Sequence, residues 1–136
     1  MTEQRKFEHQ NLQAAMFEDC SLAGANFSDV DLSGATFANV NLHGARLANV
    51  NLAGVSIEHQ NLQAARFEDC SLAGANFSDV DLSGATFANV NLRGARLADV
   101  NLAGVSIDDA NIEGLTIFGY DIQALIRAQL QRDPSV

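Results

Sequence analysis

The sequence predicts an all-β fold: a square, parallel β-solenoid of about six 20-residue coils, followed by a short C-terminal α-helix. Three observations predict the solenoid. A large apolar residue recurs at every fifth position through most of the 136 residues. The inward residues beside it complement it in size, and glycine, aspartate or asparagine recurs where the chain needs corners. The helix is predicted because the C-terminal segment abandons the five-residue period.

The five-residue period begins at Phe7 and continues to Ile122, which gives 24 consecutive positions that are all Phe, Leu or Ile. On a helix, five residues rotate the side chain by about 500°, so no single face becomes apolar. In a strand, an odd spacing sends successive side chains to opposite faces. A chain that turns a corner every five residues brings them all inside, and four corners close one coil. The coils then stack as parallel strands about 4.8 Å apart.

The inward residues are matched in size around the square, whose walls we number one to four. The central residues of walls one and three are mostly Phe, and those of walls two and four are Leu until the last coil. Six of the seven central Phe residues have Ala two positions earlier, while eight of the twelve central Leu residues have Val or Cys there. A large centre with a small companion keeps the core cross-section constant at native packing density. The predicted centres are Phe7, Phe27, Leu47, Phe67, Phe87 and Ile107 on wall one, and Phe17, Phe37, Ile57, Phe77, Leu97 and Ile117 on wall three.

The predicted corners are of two kinds. On the Leu walls, two and four, the second residue after the centre is often glycine, as at Gly24 and Gly34, and on the Phe walls, one and three, it is mostly Asp or Asn, as at Asp19 and Asn39. These residue types tolerate a positive φ better than others do. Two turn geometries are therefore expected to alternate around the square.

The segments "ANFSD", "VDLSG", "VNLHG" and "VNLAG" resemble the A-[DN]-L-x-x motif of the pentapeptide repeat proteins. The resemblance covers residues 5–124 of a chain that we interpret as a single domain over residues 1–136. It implies a right-handed quadrilateral β-helix, which agrees with the stacking argument. It also implies that a C-terminal helix can form a dimer contact, and that some relatives imitate duplex DNA and bind DNA gyrase.

A larger repeat is superimposed on the first, because residues 8–57 recur as residues 58–107 with 47 of 50 positions identical. Outward residues match as well as inward ones, although the fold does not require it. The duplication is therefore either very recent or made in the laboratory, and the identity at exposed sites favours engineering. The three differences are Met16 against Arg66, His43 against Arg93, and Asn49 against Asp99.

Two consequences follow from the length of this duplication. Fifty residues at twenty per coil make 2.5 coils, so the second copy should be turned by half a revolution, with Leu12 and Leu62 on opposite walls. Gln10 occupies an inward position at the open end, where water can reach it, but its copy Gln60 falls in the interior. A buried amide without partners costs about 1–3 kcal/mol.

The C-terminal segment "YDIQALIRAQLQRD" has helical periodicity. It predicts a helix over residues 121–131 that begins at a capping residue, Asp121. The helix would cover the last coil, or it would form a homodimer contact, and the sequence leaves both open. The open N-terminal end of the solenoid is a second place where a homodimer could form. The residues predicted to form the cap or dimer contact are Ile122, Leu125, Ile126 and Leu130.

The sequence predicts no catalytic, cofactor-binding or metal-binding residue. His9, His43 and His59 are expected at the surface, because none has a second metal-binding residue at a suitable spacing. Cys20 and Cys70 are predicted to point inward about 12 Å apart along the axis, too far for a disulfide. The pairs Glu18–Asp19 and Asp79–Asp81 place carboxylates close together, but a convex rod offers no pocket to desolvate them. We therefore expect a protein that is not an enzyme.

Composition limits the partners. A net charge of −9 argues against nucleic acid and anionic membranes. No apolar run is long enough to span a bilayer and no signal-peptide pattern opens the chain, so a cytoplasmic protein is expected. The first function predicted is a structural or interaction scaffold, and the sequence does not identify its protein partner. The same interpretation includes a protein that was built to study the fold.

The alternative function is an acidic mimic of DNA that binds DNA gyrase, a type II topoisomerase. Duplex DNA as long as six coils, about 29 Å, carries about 17 charges. The chain has 17 acidic but also eight basic residues, so its net charge density is about half that of DNA. The scaffold is therefore the preferred interpretation.

Overall fold

The computed structural model describes residues 6–132, which form thirteen short strands and one helix. Most strands have three residues, because the chain turns at both ends of each wall. The elements are β1 (Lys6–Glu8), β2 (Met16–Glu18), β3 (Asn26–Ser28), β4 (Thr36–Ala38), β5 (Arg46–Ala48), β6 (Ser56–Asn61), β7 (Arg66–Glu68), β8 (Asn76–Asp81), β9 (Thr86–Ala88), β10 (Arg96–Asn101), β11 (Ser106–Asp108), β12 (Thr116–Ile117), β13 (Tyr120–Asp121) and α1 (Ile122–Arg132).

The strands form two sheets that correspond to walls one and three, and every pair in them is parallel except the antiparallel pair β12–β13. One sheet has the order β1-β3-β5-β7-β9-β11 and the other the order β13-β12-β10-β8-β6-β4-β2. Each parallel pair joins residues twenty apart, as Phe7 with Phe27 and Phe17 with Phe37. The predicted 20-residue coil and the predicted parallel β-solenoid are confirmed.

On walls two and four the coils pair through outward polar residues, mostly as single bridges, and on wall four the longer strands β6, β8 and β10 continue the pairing. Asn11 bridges to Asp31 on wall two, and Asn41 bridges to Asn61 on wall four. Leu12 follows the first ladder and Leu62 the second, so they lie on opposite walls and the predicted half turn is confirmed. The wall-two ladder is Asn11, Asp31, Asn51, Ser71, Asn91 and Asn111, and the wall-four ladder is Ser21, Asn41, Asn61, Asp81 and Asn101.

The core is a single column of apolar side chains along the axis. Phe27 and Phe77 are fully buried and so are the alanines that precede them, which agrees with the predicted size matching. Three pairs of phenylalanine rings stack nearly parallel, with centroids 4.7–4.8 Å apart. This distance equals the usual spacing of adjacent strands, so the ring stack follows directly from the backbone repeat.

The corners have the predicted left-handed conformation. The Asp, Asn and His residues after walls one and three have φ between 50° and 57°, and the glycines after walls two and four have φ between 68° and 75°. Ala14 and Ala64 occupy glycine corners with φ of 59° and 60°. This strain at two alanines is a feature that the sequence analysis did not predict.

The sixth coil differs from the prediction. The five-residue register was expected to reach Ile122, but the last inward strand ends at Ile117 and the chain then turns back. Phe118 and Gly119 both have positive φ, so β12 and β13 form a tight antiparallel hairpin. The repeat therefore ends earlier than the predicted boundary at residue 124, because two consecutive left-handed residues reverse the chain direction.

The C-terminal helix is confirmed, one residue later than predicted. It covers Ile122–Arg132, and the Asp121 side chain accepts a hydrogen bond from the backbone N–H of Ala124 at 3.1 Å. Asp121 is therefore the N-cap that the sequence predicted. Within residues 6–132, no helix has the length and apolar character needed to cross a membrane.

Candidate interaction surface

Two corners of the square carry continuous ladders of exposed polar side chains. Each residue stacks above the equivalent residue of the coil before it, because the corners repeat every twenty residues. The ladder after wall one consists of His9, Asp29, Asn49, Asp69, Asn89 and Asp109, and the ladder after wall three consists of Asp19, Asn39, His59, Asp79 and Asp99.

Side-chain hydrogen bonds connect the steps of these ladders. The amide of Asn39 donates to Asp19 Oδ1 at 2.8 Å, and Asn89 donates to Asp69 Oδ1 at 2.7 Å. Because an amide lies between many of the carboxylates, fewer like charges stack at the strand spacing. From the sequence these residues are predicted only as turn formers, although their spacing of twenty residues also indicates a column.

Two of the histidines, His9 and His59, belong to the same ladders. His59 Nδ1 lies 2.6 Å from Asp79 Oδ2, and His9 Nδ1 lies 3.3 Å from Asp29 Oδ2. All three histidines are exposed, including His43, as predicted. Among residues 6–132, no three His, Cys, Asp or Glu side chains are arranged to hold a metal ion.

The outward polar residues of walls two and four form a second pair of ladders. Asp81 Oδ1 accepts a hydrogen bond from the backbone N–H of Ser83 at 3.0 Å, and its Oδ2 accepts one from Gln63 Nε2 at 2.7 Å. Asp31 has the equivalent bonds from Ser33 and Gln13 at 3.0 and 2.6 Å. These bonds, first of all those from the serine backbones, lower the pKa of both carboxyls. Asn and Asp in these ladders therefore perform the same structural task.

Each corner ladder and the neighbouring outward ladder lie on either side of an open groove along the rod. There are two such grooves among the described residues. We call the first the wall-four groove, which includes Asp19 and Asp79, and the second the wall-two groove, which includes Asp29 and Asp69. The predicted carboxylate pair Asp79 and Asp81 lines one groove, yet each residue has its own hydrogen-bond partners. Nothing in this open, polar surface desolvates them for catalysis.

The duplication makes the two grooves alike. A segment of the wall-four groove recurs in the wall-two groove after a shift of fifty residues, with the same residue types throughout most of its lining. The matched residues are Asp19, Cys20, Ser21, Asn39, Val40 and Asn41 in the first, and Asp69, Cys70, Ser71, Asn89, Val90 and Asn91 in the second. The protein thus presents one surface twice, on opposite sides and about 12 Å apart along the axis.

Positive charge interrupts the acidic surface on wall one. Arg46 and Arg66 are paired residues of β5 and β7. The Glu68 carboxylate lies 3.0 Å from Arg66 Nη2 and 3.8 Å from Arg46 Nη2. The two arginines therefore lie in neighbouring coils, and Glu68 is paired with both of them.

The two cysteines differ in burial. Cys20 is half-buried in the first coil, whereas Cys70 is buried and its thiol donates to the backbone oxygens of Leu47 and Glu68 at 3.3 and 3.2 Å. Burial raises the pKa of the Cys70 thiol to about 11. Both thiols are free, as predicted, and Cys70 is a packing residue at neutral pH.

Gln60 is buried in the core, as the duplication predicted. Only 6% of its surface is exposed, and neither Nε2 nor Oε1 has a hydrogen-bond partner within the described chain. It stacks against Val80, its partner on the next coil. Its copy Gln10 is exposed at the open end, where water can reach the amide.

The C-terminal helix covers the last coil only in part. Ile122 and Ile126 line an apolar cavity of about 400 Å³ together with Ile107 and other residues of the sixth coil. Leu125 is 52% exposed and Ile126 46% exposed, and the side chain of Leu130 lies outside the described residues. Two of the four predicted residues therefore contact the end of the solenoid. Phe118 and Tyr120, which the prediction missed, are exposed beside them.

Sequence and structure comparisons agree on the family. A family model described as "Pentapeptide repeat region" matches residues 40–117, and one described as "Pentapeptide repeats (8 copies)" matches residues 11–54. No curated protein matches the chain.

Similar solved structures include three pentapeptide-repeat folds. HetL, which is involved in heterocyst differentiation in the cyanobacterium Nostoc, is 21% identical with a TM-score of 0.40, and the match covers 87% of this chain and 94% of HetL. QnrB1, a plasmid-mediated fluoroquinolone resistance protein, is 16% identical with a TM-score of 0.39 and coverage of 94% and 96%. A thylakoid-lumen protein of Arabidopsis thaliana is 14% identical with a TM-score of 0.36 and coverage of 92% and 75%. Because one family model alone spans more than half of the chain, the protein belongs to the pentapeptide repeat family.

Proposed function

We propose that the protein is a non-enzymatic interaction scaffold that binds the same protein partner twice, once in each groove. The pentapeptide repeat fold is generally a non-catalytic scaffold, and the observation that supports the specific role is the recurrence of one groove lining on opposite walls. A partner that fits one lining fits the other. The scaffold would act in the cytoplasm, where it would hold two partner molecules at a fixed distance.

The grooves are suited to this role because their side chains are already ordered. Asn39 is bonded to Asp19, and Asp81 is bonded to Gln63 and Ser83. A partner therefore orders few scaffold side chains when it binds, and this lowers the entropic cost of association. The carboxylates of the grooves and the net charge of −9 favour a partner with a basic surface.

The experiment compares matched variants of the two grooves as baits in an extract of the source cells. Asp19→Asn removes the carboxylate of the repeated lining in the wall-four groove, and Asp69→Asn removes its equivalent in the wall-two groove. Asn keeps the left-handed corner, as Asn39 shows on the same ladder as Asp19, with φ of 55°. Quantitative mass spectrometry measures the ratio of partner to bait.

The expected ratio is two partners per wild-type chain, one for either groove variant, and none for the combined variant. Glu58→Gln with Glu113→Gln is the control, since it removes two exposed carboxylates outside the grooves. An equal loss with the control, or a partner that all groove variants retain, would contradict the proposed function.

A further inference from the structure

The N-terminal end of the solenoid is an unpaired edge in the described part of the chain. β1 and β2 are the terminal strands of the two sheets, so each has a neighbour on one side only. Strands with one unpaired edge readily pair with another chain. The opposite end is different, because β13 covers the edge of wall three and α1 lies beside it.

The backbone groups that face this open edge can be identified from the interior coils. Arg46, which is equivalent to Lys6, donates its N–H to Ala25 in the coil before it. The carbonyl of Ser28, which is equivalent to Glu8, accepts from His9 in the coil before it. The N–H of Lys6 and the carbonyl of Glu8 therefore point out of the open end. On β2 the same reasoning, from Thr36 and Ala38, places the N–H of Met16 and the carbonyl of Glu18 there.

The side chains at this end are apolar and incompletely covered. Phe7 and Phe17 are half-buried, whereas Phe27 and Phe37 one coil later are 0% and 1% exposed. Each end ring stacks on the next ring along the axis at 4.7 or 4.8 Å, and within residues 6–132 no aromatic ring stacks on its other face. Met16 is 68% exposed at the same edge.

We propose that a second copy of the chain stacks on this end through a two-fold axis that passes through walls one and three. Such an axis pairs β1 with β1 of the second copy in antiparallel orientation. With Phe7 opposite Phe7, Lys6 lies opposite Glu8 of the second copy, and Glu8 lies opposite its Lys6. Opposite charges meet twice at this pair, and the ring stack continues across the interface.

The hydrogen-bond pattern fits the same arrangement. In an antiparallel pair, residues that exchange both N–H···O bonds alternate with residues that exchange none. Lys6 and Glu8 direct their backbone groups outward, so they form the bonded pairs, and Phe7 is the close, non-bonded pair between them. β2 pairs in the same way around Phe17. The axis closes the assembly as a dimer because both copies use the same end.

A charge-swap experiment tests the dimer. The wild-type chain should have twice its 14.5 kDa mass by sedimentation equilibrium. Lys6→Glu and Glu8→Lys should each shift it towards the monomer, because like charges then face each other. The combined variant Lys6→Glu/Glu8→Lys should restore the dimer. The control is Glu58→Lys, the copy of Glu8 inside the solenoid, which should leave the dimer unchanged.

A second variant tests the backbone pairing. Met16→Pro removes an N–H that the proposal places in the interface and that no neighbouring coil uses, so it should abolish the dimer without lowering the melting temperature of the monomer. A monomeric wild-type chain at high concentration would contradict the proposal. So would a dimer that survives the single charge reversals and dissociates on Leu125→Ser, which would place the contact at the C-terminal helix. Dimerisation only after removal of residues 1–5 would show that the chain's own N-terminus occupies the end.

Discussion

Leu12 and Leu62 hold the same place in two nearly identical 50-residue copies, yet they lie on opposite walls of the solenoid. The copies tolerate this because Phe and Leu walls alternate, so that a half turn places Phe on Phe and Leu on Leu. Phe17 packs on wall three and its copy Phe67 on wall one, each stacked on another phenylalanine. The two-fold character of the core is therefore what permits a duplication of 2.5 coils.

Gln60→Val should raise the free energy of unfolding by about 1–2 kcal/mol. The substitution removes an amide whose two polar atoms are buried without partners, and valine is the residue at Val40 and Val80 on the same wall. Urea unfolding measures the change, and Gln10→Val at the exposed copy of the site is the control. Unchanged stability would show that the amide is satisfied.

Ala64→Gly should stabilise the protein by about 0.5–1 kcal/mol, although glycine usually destabilises. A left-handed alanine costs about 1–2 kcal/mol, and the extra freedom of glycine in the unfolded chain offsets only part of this gain. Ala64 has φ of 60° in a column where other coils have glycine. Ala73→Gly, one residue before a corner, is the control and should lower stability by about 0.5–1 kcal/mol. Thermal melts that rank both variants below the wild type would contradict the argument.

The sequence predicted the fold well where one residue type serves one geometric task. The spacing of Phe27 and Leu32 defines the walls, and Gly24 defines a corner, because no other backbone path buries all the centres. The early end of the repeat was not predictable from spacing, since Ile122 fits the register. Ile122 leaves the five-residue register because of the conformation of Phe118, a residue type that rarely adopts positive φ.

The candidate surface was less predictable. Asp19 and Asn39 were recognised as corner residues, but that they bond to each other depends on side-chain rotamers, which the five-residue motif does not specify. The charged pair Lys6–Glu8 matters only because β1 is an end strand, which is a property of the whole stack.

The pH dependence of stability should depend on Asp31 and Asp81. Their folded pKa values lie below 3.8, the ordinary value of an aspartate carboxyl, so the folded state holds fewer protons than the unfolded state in this range. Their contribution is complete above the unfolded pKa and is lost as the pH falls through the folded pKa. The double variant Asp31→Asn/Asp81→Asn should therefore lose less stability between about pH 6 and pH 2 than the wild type. Urea unfolding across this pH range measures the free energy of unfolding of both proteins. An equal loss of stability in the two would contradict the prediction.

Two adjacent residues of the C-terminal helix should differ in how much they contribute to stability. Ile126 lines the cavity above the sixth coil, so Ile126→Ser should lower the free energy of unfolding by about 1–2 kcal/mol. Leu125 does not line this cavity and is 52% exposed, so Leu125→Ser should change stability by less than about 0.5 kcal/mol. The free energy of unfolding and the molecular mass from sedimentation equilibrium are measured for both variants. If Leu125→Ser alters the molecular mass, the helix is a dimer contact as well as a cap.

The last prediction is that the protein does not inhibit DNA gyrase at low micromolar concentration. A mimic of DNA needs carboxylates at nearly phosphate density along one continuous surface. Here the half turn places Glu18 at the end of β2 on wall three and its copy Glu68 at the end of β7 on wall one. Glu68 is moreover paired with Arg46 and Arg66. The duplication thus lengthens the rod without lengthening an acidic stripe.

A supercoiling assay decides between the two functions. The matched control is the variant Arg46→Ala/Arg66→Ala, which removes both positive charges from wall one. Its negative charge density is therefore closer to that of DNA. If charge density is what the protein lacks, this variant should inhibit more than the wild type does. Inhibition by the wild type itself, weakening as salt screens the charges, would favour the DNA mimic. The scaffold requires that supercoiling proceeds unchanged with the wild-type protein, because its acidic residues are divided between two opposite grooves.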